Sequence, residues 1–182
     1  AKKGFELAMT RSKKLCCVDK ANVLETSRLW RETVQDMEKD YPQVMVSYEF
    51  VDAVAMRLVQ WPNTYDVLIT ENLFGDILTD EASVIAGSMG LMPSASVGEK
   101  TSLYEPIHGS YPQAAGKDIA KPLATVLAAA MMFEDAFNLK AEAEAIRMVV
   151  NKSLEQGIET EDLAGKNTAY KTSEVGDWLV AN

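Results

Sequence analysis

Histidine is almost absent from this chain: one residue, His108, in 182. Cysteine is nearly as scarce, with Cys16 and Cys17 adjacent to each other. That supply excludes both a disulfide framework of spaced pairs and the ligand spacing of a zinc site. The two thiols read instead as strand residues kept reduced in the cytoplasm. No apolar run reaches the ~20 residues of a membrane span, and no signal-peptide pattern opens the chain. Positive charge is also short. Eighteen Lys and Arg against 27 Asp and Glu give a net charge of −9, which excludes the basic stripe of a nucleic-acid surface. It also disfavours an anionic membrane, although an anionic small molecule can still be held by a local cluster of cations. The G-x-G-x-x-G fingerprint of dinucleotide folds does not occur either.

What is present is an ordinary apolar fraction of 47%, enough for one large domain or two small ones. Residues 1–14 read as a helix with a basic end, Arg11 to Lys14. Its pattern starts at Ala1 with no cap before it, so the N-terminal part of a longer polypeptide is expected upstream. Leu15–Val18 is a short apolar run of buried-strand type. Leu24 to Lys39 has helix spacing at Leu24, Ser27, Trp30, Val34 and Met37, and Tyr41-Pro42 ends it. Val44–Val46 opens a second strand. Val51, Val54, Ala55, Leu58 and Val59 mark an amphipathic helix stopped by Trp61-Pro62. Asp66–Thr70 is a third strand, followed by a helix through Asp76 and Asp80. Strand and helix thus alternate as in an α/β layer with crossover connections. Gly87–Ser96 reads as a domain crossing or a strand between turns, and Gly98–Lys121 as a long loop of the kind that carries function. Helices are expected over Pro122–Phe137, Ala141–Gln156 and from Thr172, where a hydroxyl cap precedes Glu174.

The most informative stretch is Asn72-Leu-Phe-Gly-Asp-Ile-Leu-Thr-Asp80. On a helix its carboxylates Asp76 and Asp80 share a face, and like charges so placed repel unless a cation sits between them. Magnesium and manganese suit carboxylate oxygen. The alternative is a solvated acidic face, but Leu73, Phe74, Ile77 and Leu78 leave little polar surface, which puts the aspartates at the edge of a buried helix. Asp52 stands among Phe50, Val51, Val54 and Met56; it is a second metal candidate or a helix-start residue favouring the dipole. Lys20 follows the first strand, where α/β sheets gather their active residues; it is a proton-transfer candidate or a surface lysine. The segment Glu105-Pro-Ile-His108-Gly-Ser-Tyr-Pro-Gln-Ala-Ala-Gly116 offers glycines for close backbone approach and a histidine able to meet a nucleotide, or is a plain loop.

Four segments occur in order: Val18-Asp-Lys-Ala-Asn-Val-Leu-Glu25, Asn72–Ser83, Gly87–Ser96 and Glu105-Pro-Ile-His-Gly-Ser110. Together they resemble the β-decarboxylating dehydrogenases of 2-hydroxy acids, nearest to those acting on isopropylmalate, across essentially all 182 residues. The likeness is to the C-terminal half of that family. It implies an α/β fold with mixed sheet layers flanked by helices. Residues 1–86 would be the second half of a dimerisation and substrate domain, and 87–182 the C-terminal part of a cofactor-binding domain. It implies oxidative decarboxylation of 3-isopropylmalate in leucine biosynthesis, with NAD and Mg2+ or Mn2+. Asp52, Asp76 and Asp80 match the metal aspartates, the first from one subunit of a homodimer and the others from its mate. The helices carrying Asp52 and Asp76 would form the interface. Lys20 matches the acid/base lysine, with Asp52 beside it in catalysis, and Lys20, Asn22 and Asp52 would meet substrate. Glu105, His108, Gly109, Ser110, Tyr111, Gln113, Ala114, Gly116, Ile119 and Lys121 match the adenosine-binding segment.

Two positions depart from the family pattern. Gln113 stands where an aspartate commonly holds the ribose hydroxyls, and Lys121 where an asparagine commonly precedes proline. Gln113 removes a carboxylate that would repel a 2′-phosphate and Lys121 adds a cation; NAD remains the expected cofactor. The half not matched supplies substrate-binding arginines and a catalytic tyrosine in the family, so this chain by itself is expected to be inactive. The alternatives are a sibling acting on isocitrate, homoisocitrate or tartrate, and a non-catalytic dimerising subunit. The second is disfavoured because Lys20 and all three aspartates are retained.

Overall fold

The computed structural model describes residues 1–182, which divide into two compact units, Ala1–Ile85 and Ala86–Asn182. In the first unit three strands, β1 (Lys14–Asp19), β2 (Met45–Phe50) and β3 (Val67–Ile69), form a parallel sheet in the order β2-β1-β3. Its helices are α1 (Lys2–Thr10), α2 (Glu25–Met37), α3 (Val51–Gln60) and α4 (Asn72–Ile85). The central strand β1 is buried along its last five residues, as a parallel strand covered on both faces must be. Alternation splits its side chains between two cores. Leu15 and Cys17 join Phe5, Ala8, Val34, Val67 and Ile69 on one face, whereas Cys16 and Val18 join Val54, Leu58 and Leu78 on the other. Helices α1 and α2 therefore cover one side and α3 and α4 the other. Gly4 is what lets α1 approach: a Cβ there would lie 2.1 Å from Ile69 Cγ2. Burial pushes the Cys16 thiol up to about 11, and burial together with the Asp19 charge pushes Cys17 up to about 12.

The first helix is shorter than its sequence pattern. It stops at Thr10, and Lys13 takes φ 62° before β1 begins. Arg11 Nε (2.6 Å) and the Ser12 N–H (3.0 Å) donate to Asp66, as does the Ser12 hydroxyl. That grip turns the basic tail out of the helix and ties it to the start of β3. The remaining boundaries of this unit fall within two or three residues of the pattern, and Pro62 opens a short 3-10 turn (Pro62–Thr64) after α3.

The second unit pairs β4 (Pro93–Val97) with β5 (Ser102–Pro106) in an antiparallel hairpin, with Ala95 opposite Tyr104. Helices α5 (Leu123–Asp135), α6 (Lys140–Glu155), α7 (Glu161–Ala164) and α8 (Thr172–Ala181) follow. Leu123, Val150, Ile158 and Val175 are its core, with Leu91, Tyr170 and Trp178 packed around them. The stretch Gly98–Lys121 is thus not an unbroken loop. The turn at Gly98, whose N–H donates to the Thr101 carbonyl (3.2 Å), returns the chain as β5. Two prolines facing each other at one end of the ladder, Pro93 opposite Pro106, hide the pairing in the sequence because each removes a donor. Helix α7 was not expected from the pattern. Helix α8 begins at Thr172 as expected, but not through a hydroxyl cap. Its free N–H groups are met by carboxylates instead, Lys171 N–H on Glu174 (2.8 Å) and Ser173 N–H on Asp118 (2.9 Å).

Candidate functional site

The register of the parallel sheet decides which side chains meet. Asp19 at the end of β1 lies opposite Phe50 at the end of β2. The next residues along, Lys20 and the first turn of α3, are therefore brought side by side at the carboxyl edge, where open α/β sheets place their ligands. There Lys20 Nζ donates to Asp52 Oδ1 at 2.5 Å. The ammonium also sits 5.6 Å from the Phe50 ring centroid, a cation over an aromatic face. Lys20 is largely covered while Asp52 is 68% exposed. The hydrogen bond from Lys20 holds the Asp52 carboxyl below the usual carboxylate range. Asn22 is exposed in the turn that follows, whose shape is set by Val23 and Leu24 N–H donating to the Lys20 carbonyl (both 2.9 Å).

Asp76 and Asp80 sit one turn apart on α4, which starts at Asn72. Asn72 Nδ2 donates to Asp76 Oδ2 at 3.2 Å. Both aspartates are exposed, and so are their apolar neighbours Leu73 and Ile77. This differs from the expectation of a buried helix edge. Leu78 and Ser83 are the buried residues of α4, because the helix carries more apolar surface than the first unit alone can cover. Within one chain no three carboxylate, thiol or imidazole groups converge to hold a metal ion.

Sequence reasoning missed the groups that brace Lys20. Asp19 is fully buried and takes a two-pronged contact from Arg31, Nε at 2.8 Å and Nη2 at 3.0 Å, while the Ala21 N–H donates to it at 2.8 Å. Ser27, also buried, donates to Glu71 just before α4 at 2.5 Å. The available signal was a carboxylate ending an otherwise apolar strand, since such a group needs a partner. An open cleft of about 480 Å³, lined by Arg11, Lys14 and Tyr65 among others, lies at the start of β1 and β3, away from Lys20.

In the second unit Glu105 lies exposed on β5, and Ile107 N–H donates to the Met92 carbonyl (3.0 Å). His108 Nδ1 is 3.0 Å from the Gly109 carbonyl, which can only accept, so Nδ1 carries the proton in that contact. Gly109, Ser110, Tyr111 and Gln113 are exposed, Ala114 is buried and Ile119 half-buried. Gly116 takes φ 74°, a glycine conformation, and open space surrounds the Cβ positions of Gly109 and Gly116. The backbone can thus be approached along this segment. Lys121 behaves differently: its side chain is 3% exposed and its Nζ lies 3.3 Å from Asp162 Oδ1.

A family model described as isocitrate/isopropylmalate dehydrogenase matches residues 1–179. A 3-isopropylmalate dehydrogenase of Bacteroides fragilis (strain YCH46) is 54% identical over 180 residues, which are 98% of this chain and 51% of that protein. The 3-isopropylmalate dehydrogenase of Pseudomonas syringae pv. tomato is 52% identical over 183 residues, covering 100% of this chain and 51% of that one. The chain spans about half the length of the curated relatives it matches. Among solved structures, isocitrate dehydrogenase from Methylococcus capsulatus superposes with a TM-score of 0.93 at 37% identity, covering 99% of this chain and 53% of that one. A β-decarboxylating dehydrogenase from Thermococcus kodakarensis gives a TM-score of 0.88 at 35% identity over 99% of this chain and 52% of that one.

Proposed function

The chain belongs to the isocitrate/isopropylmalate dehydrogenase family, and from that premise we propose that it takes part in the oxidative decarboxylation of 3-isopropylmalate to 2-oxoisocaproate in leucine biosynthesis. NAD is the hydride acceptor, Mg2+ or Mn2+ the metal, and the cytoplasm the compartment, in keeping with two reduced cysteines. The observation that carries this reading is the Lys20–Asp52 pair at the carboxyl edge of the parallel sheet. The reaction needs one proton removed from the substrate hydroxyl and one returned to carbon after carbon dioxide leaves. A side chain that alternates between ammonium and amine serves the first transfer, and Lys20 is that group here; the second falls to the tyrosine expected from the half not matched. Asp52 aims Nζ through its hydrogen bond. Arg31, through Asp19, fixes the backbone from which Lys20 projects. Asn22, exposed two residues on, is the contact to substrate.

The donor set suits a hard divalent ion: Asp76 and Asp80 present carboxylate oxygens one turn apart and open to solvent, and Asp52 of the partner subunit would complete it. When bound, such an ion supplies Lewis-acid polarisation, and NAD supplies the hydride acceptor. Residues 1–86 act as part of the substrate and dimerisation domain. Residues 87–182 act as part of the cofactor domain, where the glycine-lined segment Glu105–Lys121 holds the adenosine. The dimer forms through α3 and α4, whose exposed Met56, Val59, Leu73, Ile77 and Val84 make an apolar surface larger than scattered residues leave. Isocitrate is the second reading, favoured by the 0.93 superposition. The isopropylmalate relatives are more similar in sequence, at 54% against 37%.

The test joins the N-terminal half of the Bacteroides fragilis relative to this chain and follows NADH formation with Mn2+. Turnover of 3-isopropylmalate is expected, with isocitrate a poor substrate. The 182-residue chain alone should be inactive. Lys20→Met should lower kcat by about 10²–10⁴-fold, the usual share of a general acid/base. Unchanged turnover in Lys20→Met, or a preference for isocitrate, overturns the assignment.

A further inference from the structure

Lys121 is the one buried side-chain nitrogen or oxygen without a hydrogen-bond partner. Burying an ammonium is costly unless it is paired, and its pairing explains the surrounding sequence. Asp162 Oδ1 lies 3.3 Å from Nζ. The same carboxylate accepts from Ser88 Oγ (2.5 Å) and from the buried Thr160 Oγ1 (2.6 Å). Ser88 Oγ in turn accepts from the Gly90 N–H at 3.1 Å. Burial works against the charge on Asp162, yet these two hydroxyls and Lys121 outweigh it and hold the carboxyl below its ordinary value. The lysine stem lies against Gly90, where a Cβ would come 2.8 Å from Lys121 Cβ and Cδ. One ammonium thus gathers the turn before β4, the entry to α5 and the start of α7.

Three residues upstream, Asp118 holds φ 57° and caps α8. Its carboxylate accepts from Ser173 N–H and Oγ (2.9 and 2.6 Å), and the Ala120 carbonyl accepts from Thr172 Oγ1 (2.6 Å). The C-terminal end of the candidate cofactor segment is therefore clamped at two points within the second unit.

We propose that Lys121 is a positioning residue: its ammonium is committed to Asp162, so it fixes the segment 108–121 and takes no part in meeting a dinucleotide phosphate. The proposal rests on the reading of that segment as the adenosine site. It removes the cation that the sequence offered to a 2′-phosphate.

The test compares Lys121→Met, Asp162→Asn and the double variant. Amide hydrogen exchange is read across 108–121 in this chain, and the affinities for NAD and NADP in the active fusion. Each single variant should speed exchange of the segment by about tenfold or more: Asp162→Asn leaves the buried ammonium without its carboxylate, and Lys121→Met removes the tie from the end of the segment to Asp162, which is itself 44% exposed. The double variant should be less affected than the two single effects combined. NAD and NADP should weaken by the same factor in Lys121→Met, so that their ratio is unchanged. Exchange that stays native in Lys121→Met overturns the proposal, as does a loss confined to NADP. If neither dinucleotide binds the unaltered fusion, the adenosine reading fails, while the exchange data still decide whether Lys121 positions the segment.

Discussion

Replacing Arg31 by Met removes both side-chain donors from a carboxylate with no solvent exposure. What remains on Asp19 is the Ala21 N–H at 2.8 Å. Two charge-assisted hydrogen bonds at about 1.5–3 kcal/mol each set a range of about 3–6 kcal/mol. Stripping one partner from a buried pair is measured at about 3–5 kcal/mol. The guanidinium also lies 5.5 Å from the Tyr48 ring and 5.3 Å from the Phe50 ring; that contact overlaps the first and is not added. A loss of about 3–5 kcal/mol is expected in the first unit. With a urea slope of about 1–3 kcal/mol per molar, the midpoint should fall by more than about 1 M. Trp30 is the natural reporter, since its indole N–H donates to the Val18 carbonyl at 3.2 Å. Trp61→Phe and Trp178→Phe remove the other two tryptophan signals. A loss under about 1 kcal/mol, the value of a surface pair, would refute the argument that Asp19 depends on Arg31. The double variant Asp19→Asn with Arg31→Met should cost less than the sum of its parts.

The remaining expectations concern pH and assembly. Asp66 is held at about 2, first by the Ser12 hydroxyl and then by Arg11. A carboxylate depressed in the folded state stabilises above its unfolded pKa of about 4. That contribution is lost as pH falls through about 2, and urea midpoints recorded between these limits should decline less steeply in Asp66→Asn. Ile77→Glu adds charge to an exposed apolar position of α4. It should shift the fusion from dimer to monomer in sedimentation and abolish turnover, while leaving the circular dichroism unaltered. A dimer that persists places the interface elsewhere.

The parallel layer was legible because its strands are short apolar runs and its helices end at Tyr41-Pro42 and Trp61-Pro62. Lys20 and Asp52 were legible singly from the residues, and only the family resemblance put them in one site; spacing alone does not bring them into contact. That contact depends on the Asp19–Phe50 register, which periodicity does not specify. The hairpin was hidden by its prolines, and α1 was overextended because Arg11 belongs to Asp66, 55 residues away. Lys121 shows the limit most clearly. In the chain it is a basic residue in a loop; in the fold Gly90 and Asp162 enclose it.

The two thiols buried in β1 have a practical consequence. Alkylating reagents attack thiolate, and both groups are shut from solvent with their ionisation pushed far above neutrality. A maleimide will therefore modify Cys16 and Cys17 only when the parallel sheet comes apart. Ala86–Asn182 contains no cysteine. The rate of labelling is a clock for the opening of one half of the molecule, silent on the other.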